Sequence, residues 1–341
     1  MALLRVNACG DNPQPHGGPE GPSLDSLLRT ALERPGPVVL MLHGYRYGPG
    51  RAGHCPHDLL YAMRPTGGSN RIVSWPRHLG FGVDQRQAGL GEAGLGQVGL
   101  GQAELGQAGL DQAGLDQAGF AIAFGWDGRG TIRRAYREAA RAGRAMAKLV
   151  RQIRAIDRSR EVHVLAHSLG ARVALCALQH LGPKDLSRLI LMSAAEYRST
   201  ATAALATPAG QTAQVVHVTS RENDLYDCLL EWLVPAPRRG DRALGTISAA
   251  NLRPVLLDDP AALAALARIG YRIAPPSRLI CHWSPYLRPG VFALYRALLT
   301  GTLTPQALDH CLPVSEDRRW TRILPRRIGL PSLPFASKAP T

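Results

Sequence analysis

Lysine is scarce in this chain of 341 residues, where only Lys148, Lys184 and Lys338 stand among the 40 basic side chains. The formal net charge of +14 therefore comes almost entirely from arginine. No nucleic-acid-reading motif accompanies this charge. An Ala-, Arg-, Gly- and Pro-rich chain with so little lysine is more typical of GC-rich coding than of a phosphate-binding surface, and we expect no nucleic-acid partner.

Long apolar runs are also missing. No stretch of about eighteen apolar residues occurs, so the sequence predicts no membrane-spanning helix. Residues 1–11 lack a basic region followed by an apolar one, and we expect no signal peptide. Six cysteines are scattered without a paired framework, which favours a reducing compartment over a disulfide scaffold. Together these features predict a cytoplasmic location.

Signatures of metal or nucleotide cofactors are absent as well. The tetrapeptide His54-Cys55-Pro56-His57 holds three potential zinc ligands. A zinc site needs four tetrahedral ligands, and no second pair at a matching spacing completes the set. No glycine-rich phosphate loop opens a helix after a predicted strand. We therefore expect neither a metal nor an organic cofactor.

A low-complexity insert at 84–119 interrupts the chain with Gly-, Leu- and Gln-rich units that repeat every five residues. A period of five matches neither a helix nor a strand, and ten glycines between Gly89 and Gly119 further disfavour a helix. Stacked pentapeptide coils are the alternative, but six units are too few to bury a core. We predict a flexible insert, and a loose, basic, Pro-rich tail at 318–341.

Short apolar runs alternate with helical patterns along the rest of the chain. The predicted strands are 3–7, 37–42, 71–75, 161–165, 187–192, 213–219 and 278–281. The predicted helices are 24–33, 58–63, 131–156, the segment that follows residue 168, 224–233, 261–269 and 291–299. Such alternation is typical of a parallel sheet with helices on both faces, and we expect residues 1–317 to form one domain.

The pentapeptide Ala166-His167-Ser168-Leu169-Gly170 stands between a predicted buried strand and an Ala/Leu-rich helix. A serine at such a turn is lifted clear of the sheet, and its backbone lies at a helix N-terminus. The turn needs small residues two positions before and two after the serine, which Ala166 and Gly170 provide, although the first is usually glycine. We interpret Ser168 as a nucleophile, with a helix N-cap as the alternative.

A serine nucleophile needs a base, and the base needs an acid that orients it. In parallel sheets, active residues gather beyond the carboxyl ends of the strands. Asp224 and His282 each follow a predicted strand, and we assign them as acid and base. Glu196 is the alternative acid. The remaining rivals are Glu222 and Asp227 for the acid, and His310 for the base.

The order Ser, Asp, His along the chain is that of the α/β-hydrolase superfamily, which this sequence resembles over residues 36–300. The matching motifs are Ala166-His167-Ser168-Leu169-Gly170, His43-Gly44-Tyr45, Ser220-Arg221-Glu222-Asn223-Asp224 and Cys281-His282-Trp283. The resemblance implies a mostly parallel sheet of about eight strands with helices on both faces. It also implies hydrolysis through an acyl-enzyme, but it names no substrate. Our own hypothesis is that the small-molecule substrates are carboxylic esters or thioesters.

The same resemblance implies an oxyanion hole made by the backbone N–H groups of Tyr45 and Leu169. Gly44 allows the close approach of the backbone there. We expect His43, His167 and Gly170 to shape the site rather than to transfer protons.

A second hypothesis remains open at this point. The predicted helix 131–156 carries basic side chains at three- and four-residue spacing, namely Arg133, Arg137, Arg141, Arg144, Lys148 and Arg151. A catalytically silent, hydrolase-like scaffold could bind a partner or an anionic membrane surface through this face.

Overall fold

The computed structural model describes residues 3–81 and 119–314, apart from positions 19, 67, 68, 70, 248 and 250. The insert predicted at 84–119, except its last residue, and the tail predicted at 318–341 lie outside these ranges. What the sequence indicates about their structure stays a prediction.

The described residues form one eight-stranded sheet. Its strands are β1 (Leu3–Cys9), β2 (Asn12–Pro15), β3 (Val38–Leu42), β4 (Phe120–Gly125), β5 (Val162–His167), β6 (Arg188–Met192), β7 (Gln214–Thr219) and β8 (Leu252–Leu256). The strand order is β2-β1-β4-β3-β5-β6-β7-β8. Every neighbouring pair is parallel except β1 and β2, which are antiparallel. The predicted mostly parallel sheet is confirmed.

Helices cover both faces of this sheet. In the described residues they are α1 (Leu24–Leu32), α2 (Trp75–His78), α3 (Ile132–Ile156), α4 (Leu169–Leu178), α5 (Arg198–Leu205), α6 (Pro208–Thr212), α7 (Asp224–Leu233), α8 (Pro260–Arg268), α9 (Ser284–Leu287), α10 (Val291–Thr300) and α11 (Pro305–Cys311). None of them is long and apolar enough to cross a lipid bilayer.

The central strand β3 shows how the two faces arise. Successive side chains of a strand point to opposite sides, and all five residues of β3 are buried. Leu40 enters a core shared with α1, α3 and α4, whereas Met41 enters a second core shared with α10 and α11. A continuous apolar run is therefore required here, because neither face of the strand meets water.

Helix α3 packs on α4, the helix that follows the serine turn. Thr131 caps its N-terminus by accepting a hydrogen bond from the N–H of Arg134. A Cβ at Gly143 would lie 2.7 Å from the Cβ of Cys176, so glycine allows the two helices to approach closely. The basic side chains predicted on the outer face of α3 are partly paired, since Arg144 contacts Asp11 at 2.9 Å.

Three local predictions are wrong. Residues 58–63 form turns rather than a helix. Residues 71–75 do not form a strand, because Ser74 accepts a hydrogen bond from the N–H of Arg77 and caps α2. Residues 278–281 do not form a strand either, and the side chain of Leu279 is 88% exposed. His282 therefore follows a loop and not a strand.

Candidate active site

Ser168 lies at the turn between β5 and α4 with a left-handed backbone, φ 56° and ψ −122°. Residues other than glycine rarely adopt a positive φ, and such strain clusters at functional sites. Two backbone hydrogen bonds hold the turn: the N–H of Ser168 donates to the carbonyl of Met192 at 2.9 Å, and its carbonyl accepts from the N–H of Ala195 at 3.1 Å. The hydroxyl is thereby presented at the carboxyl end of the sheet.

Close backbone approach explains the glycines on either side of this turn. A Cβ at Gly170 would lie 2.6 Å from the carbonyl oxygen of His43, at the end of the neighbouring strand. A Cβ at Gly44 would lie 2.7 Å from the Cβ of Ser168. Both positions exclude a side chain, so the loop after β3 and the start of α4 can touch.

His282 lies beside the serine. Its Nε2 is 2.7 Å from Oγ of Ser168, and its Nδ1 is 2.6 Å from Oδ1 of Asn223. An amide oxygen only accepts hydrogen bonds, so Nδ1 carries the proton and Nε2 is left to accept the serine hydroxyl. Burial lowers the pKa of His282 well below its usual value, and the neighbouring His167 lowers it further. The imidazole is therefore neutral at pH 7, and its Nε2 can accept a proton.

The side chain that orients His282 is Asn223, which corrects the assignment of Asp224. The chain leaves β7 through a 3-10 turn at Arg221–Asn223, and Asp224 then begins α7. Successive residues of a helical turn point in different directions, roughly 100° apart, so only one of the two neighbours can face the histidine. The Asp224 carboxylate instead lies 3.5 Å from Nε of Arg221. The residue type expected beside such a histidine is an acid, so the sequence alone does not point to Asn223.

A carboxyl group stands behind this amide. Nδ2 of Asn223 donates to Oδ1 of Asp227 at 2.9 Å, which fixes the amide with its oxygen toward the histidine. Burial raises the pKa of Asp227 well above its usual value, and the nearby Asp224 and Glu231 raise it further. Ser168, His282, Asn223 and Asp227 thus form one chain of hydrogen bonds.

Glu222, another rival for the acid, joins the two loops of the site. Its carboxylate is held by three side chains, those of Ser220, Ser284 and Arg288. Its backbone carbonyl accepts from the N–H of Cys281 at 3.0 Å. These contacts tie the loop that carries Asn223 to the loop that carries His282.

Glu196, the alternative acid, lies elsewhere in the described fold. Its carboxylate is fully buried, and it accepts from Nη1 of Arg172 at 2.5 Å and from the N–H of Tyr197 at 2.7 Å. The hydroxyl of Tyr136 donates to the same carboxylate. Burial raises the pKa of Glu196 even though Arg172 opposes the shift. This group joins α3 and α4 to the loop after β6, and it does not contact His282.

His43 fixes the loop that follows β3. The N–H of Trp126 donates to its Nε2 at 3.1 Å, so the ring proton resides on Nδ1, which lies 2.8 Å from the carbonyl of Gly44. The indole of Trp126 stacks on the imidazole, with the two rings 3° from parallel. Burial lowers the pKa of His43 to about 4. A neutral histidine therefore holds the turn that ends in Tyr45.

The sequence assigns two backbone N–H groups, those of Tyr45 and Leu169, to an oxyanion hole. Leu169 is the first residue of α4, where N–H groups have no acceptor within the helix. Tyr45 follows Gly44, whose backbone touches the nucleophile turn. The structure thus brings both segments to Ser168.

His167 holds the loop that carries His282. Its Nε2 lies 2.9 Å from the carbonyl oxygen of His282, and its ring packs edge-on against Tyr286. Burial lowers the pKa of His167 to about 4, so the ring stays neutral and donates from Nε2. The sequence predicted a shaping role at this position, and these contacts are of that kind.

A cavity of about 540 Å³ opens onto Ser168 and His282. Its other lining residues are Tyr45, Arg46, Tyr47, Arg71, Ile132, His167, Ala195, Tyr226, Leu229, Leu230, Leu233 and Trp283. The lining is mostly apolar, its charged side chains are two arginines, and its size suits a small organic molecule.

Metal ligation has no support in the described part of the chain, where no three or more His, Cys, Asp or Glu side chains are grouped to hold an ion. Within the tetrapeptide considered above, Nε2 of His57 lies 2.7 Å from Oδ1 of Asn7.

Residues 106–214 match a family described as alpha/beta hydrolase of unknown function (DUF900). The matched segment contains Ser168 and Glu196, and it ends before Asn223 and His282. No curated protein matches the chain.

Proposed function

We propose that this chain is a serine hydrolase of the α/β-hydrolase superfamily and that it cleaves carboxylic esters or thioesters through an acyl-enzyme intermediate; the family match over residues 106–214 supports the superfamily. The observation that carries the proposal is the 2.7 Å distance between Nε2 of His282 and Oγ of Ser168 at the mouth of an apolar cavity. A serine hydroxyl is a weak nucleophile until a base removes its proton, and a neutral imidazole at this distance can do so.

In the first half of the reaction, Oγ of Ser168 attacks the carbonyl carbon while its proton moves to Nε2 of His282. The tetrahedral oxyanion accepts hydrogen bonds from the N–H groups of Tyr45 and Leu169, each worth about 3 kcal/mol of transition-state stabilisation. The imidazolium then returns the proton to the departing alkoxide or thiolate. An acyl ester on Ser168 remains, and the alcohol or thiol leaves.

In the second half, water takes the place of the leaving group. His282 accepts a proton from the water, whose oxygen attacks the acyl carbon, and the same proton is then delivered to Oγ of Ser168. A carboxylic acid is released, and the enzyme returns to its initial state. Asn223 holds the imidazole tautomer throughout, because its amide oxygen accepts the Nδ1 proton.

A fluorophosphonate probe tests this proposal, because it reacts with activated serines. We expect labelling of the wild type, none of Ser168→Ala, and labelling at least about 100-fold slower for His282→Gln, since general-base catalysis contributes on that order. Ser26→Ala, at an exposed position of α1, is the matched control.

Hydrolysis of p-nitrophenyl butyrate should follow the same pattern across these variants. If Ser168→Ala is labelled as strongly as the wild type, the proposed nucleophile is wrong. If none of the proteins is labelled and none turns over an ester, the proposed activity is wrong.

A further inference from the structure

We propose, resting on the function above, that the cavity selects esters or thioesters that carry a carboxylate or phosphate, and that Arg46 and Arg71 bind this anionic group. Both side chains line the cavity that contains Ser168 and His282. They reach it from different loops, one after β3 and one before α2.

Arg46 lies in the loop after β3, next to Tyr45, whose N–H is one of the two proposed oxyanion donors. It follows Tyr45 directly, and its backbone is left-handed, with φ 76°. Its N–H donates to the carbonyl of Gly128 at 2.8 Å, which holds this uncommon conformation. Its guanidinium carbon lies 5.7 Å from the centre of the Tyr45 ring. A non-glycine residue with a positive φ is strained, and such residues cluster at functional sites. The strain at Arg46, next to the proposed oxyanion donor Tyr45, therefore favours a functional role for its side chain.

Arg71 reaches the cavity from the histidine side. Its guanidinium carbon lies 4.2 Å from the ring centre of Trp283, the residue after His282. Stacking on an aromatic face leaves the N–H groups in the guanidinium plane available to a ligand. The aromatic contact therefore orients the cation without neutralising it.

The positive charges of Arg46 and Arg71 both affect Tyr226. The charges of Arg71 and Arg46 both lower the pKa of Tyr226, against the larger effect of burial, which raises it. The Tyr226 ring stacks on His282 with 4.4 Å between ring centres. Tyr226, which lines the same cavity, therefore lies within reach of both positive charges.

These positive charges have no described counter-ion. No Asp or Glu is among the described residues that line the cavity, and neither Arg46 nor Arg71 pairs with a carboxylate in the described ranges. Guanidinium groups bind carboxylates and phosphates through paired N–H donors. The apolar wall, which includes Ile132 and Leu229, suits the hydrocarbon part of the same substrate.

The anionic group could belong to the acyl chain or to the leaving group, and matched substrates distinguish the two. For the acyl side, p-nitrophenyl hydrogen glutarate is compared with its neutral methyl ester. For the leaving group, butyryl-4′-phosphopantetheine is compared with butyryl-pantetheine. The measured quantity is the ratio of kcat/KM for the anionic member to that for the neutral member.

We expect the wild-type ratio to exceed about 10 in at least one pair and to fall with added salt, because screening weakens exposed charge pairs. Arg46→Gln and Arg71→Gln should each lower that ratio several-fold, and the double variant should bring it close to 1. Arg137→Gln, at an exposed position of α3 outside the cavity, is the matched control and should keep the wild-type ratio. A wild-type ratio near 1 in both pairs, or an unchanged ratio in the double variant, overturns the proposal.

Binding separates this inference from the hydrolase activity itself. In Ser168→Ala, calorimetric titration should give a Kd for the anionic member of the selected pair at least about 10-fold below that for the neutral member. Equal Kd values for both members of both pairs contradict anion recognition, whether or not the wild type turns over esters. Absent turnover together with selective binding contradicts only the proposed activity.

Discussion

Among single residues, Asn223 has the largest consequence for the chemistry. An amide oxygen accepts the Nδ1 proton of His282, as a carboxylate would, but it carries no charge to stabilise the imidazolium formed during attack. The next carboxyl group, that of Asp227, is one hydrogen bond further away. We therefore expect the site to rely on correct tautomer and orientation more than on charge compensation.

Substitution of Asn223 tests this distinction. Asn223→Ala removes the acceptor at Nδ1, so the imidazole can rotate or change tautomer, and we expect kcat to fall about 100-fold, within the range by which a positioned base contributes. Asn223→Asp should keep the geometry and place a negative charge beside the imidazole, which raises the pKa of His282. The readout is the pH profile of kcat/KM, whose acid limb should move upward in Asn223→Asp. An unchanged profile in Asn223→Asp, with full activity in Asn223→Ala, would contradict the role.

The lowered pKa of His282 predicts how the activity of the wild type depends on pH. Its pKa is lowered chiefly by burial, so the imidazole stays neutral to a pH well below its usual value. Because only the neutral ring accepts the serine proton, activity should be constant at neutral pH and fall when the pH drops through this lowered pKa. The acid limb of kcat/KM for p-nitrophenyl butyrate should therefore have its midpoint below about 6.5, the usual histidine value. A midpoint at or above that value contradicts the burial argument.

Ser168 could be predicted from the sequence because it stands between a buried strand and a helix. His282 could be predicted from the order Ser, Asp, His along the chain, although the strand expected before it is a loop. Asn223 could not, since choosing between neighbours in a turn requires the direction of each side chain. The side chain that contacts the base lies in the dipeptide Asn223-Asp224, but the sequence alone does not say which of the two residues faces His282.

At the scale of elements, the missed and misplaced strands have physical reasons. Strand β8 contains Pro254, which argues against a central strand. Within the described residues, however, β8 is the edge strand of the sheet and lies next to β7, and proline is tolerated at such an edge. Residues 278–281 have strand-like composition, but the edge position is already occupied by β8. Strand β4 directly follows the low-complexity segment, and a short run of five apolar residues and a glycine cannot be assigned to a strand or a helix from its period alone.

The loops that carry Asn223 and His282 depend on the buried ion pair of Glu222 and Arg288. Breaking a buried pair leaves one charge without compensation, which typically costs about 3–5 kcal/mol. We expect Glu222→Ala to lower the free energy of unfolding by that amount, measured by urea denaturation. Activity should fall as well, because the histidine loop loses its anchor.

The matched control for this variant is Arg29→Ala, which removes a pair whose side chains are 63% and 59% exposed. Exposed pairs contribute about 0–1 kcal/mol, so this change should be nearly neutral. Equal effects of the two substitutions would show that the Glu222 contact does not stabilise the fold.

For the whole molecule, buried histidines dominate the expected response to acid. Burial lowers the pKa to about 4 in His43, His167 and His217, to about 3 in His163 and to about 2 in His57, and also lowers it in His282. Unfolded histidines bind protons below about pH 6.5, whereas these folded ones do not, so stability falls as pH drops. Glu196 and Asp227 oppose the trend, because their raised pKa values let the folded state bind protons first.

The six histidines outnumber the two carboxyl groups, so unfolding should take up protons below about pH 6.5, and the free energy of unfolding should have a positive slope against pH in this range. Urea denaturation at pH 7.5, 6.0 and 5.5 measures this slope. His163 offers a single-site check, because its side chain is fully buried and burial lowers its pKa to about 3. His163→Met should reduce the slope by up to about 1.4 kcal/mol per pH unit, the limit for one proton, with the exposed His180→Gln as control. Stability that is flat between pH 6.5 and 5.5 would mean that the buried histidines take up protons without unfolding.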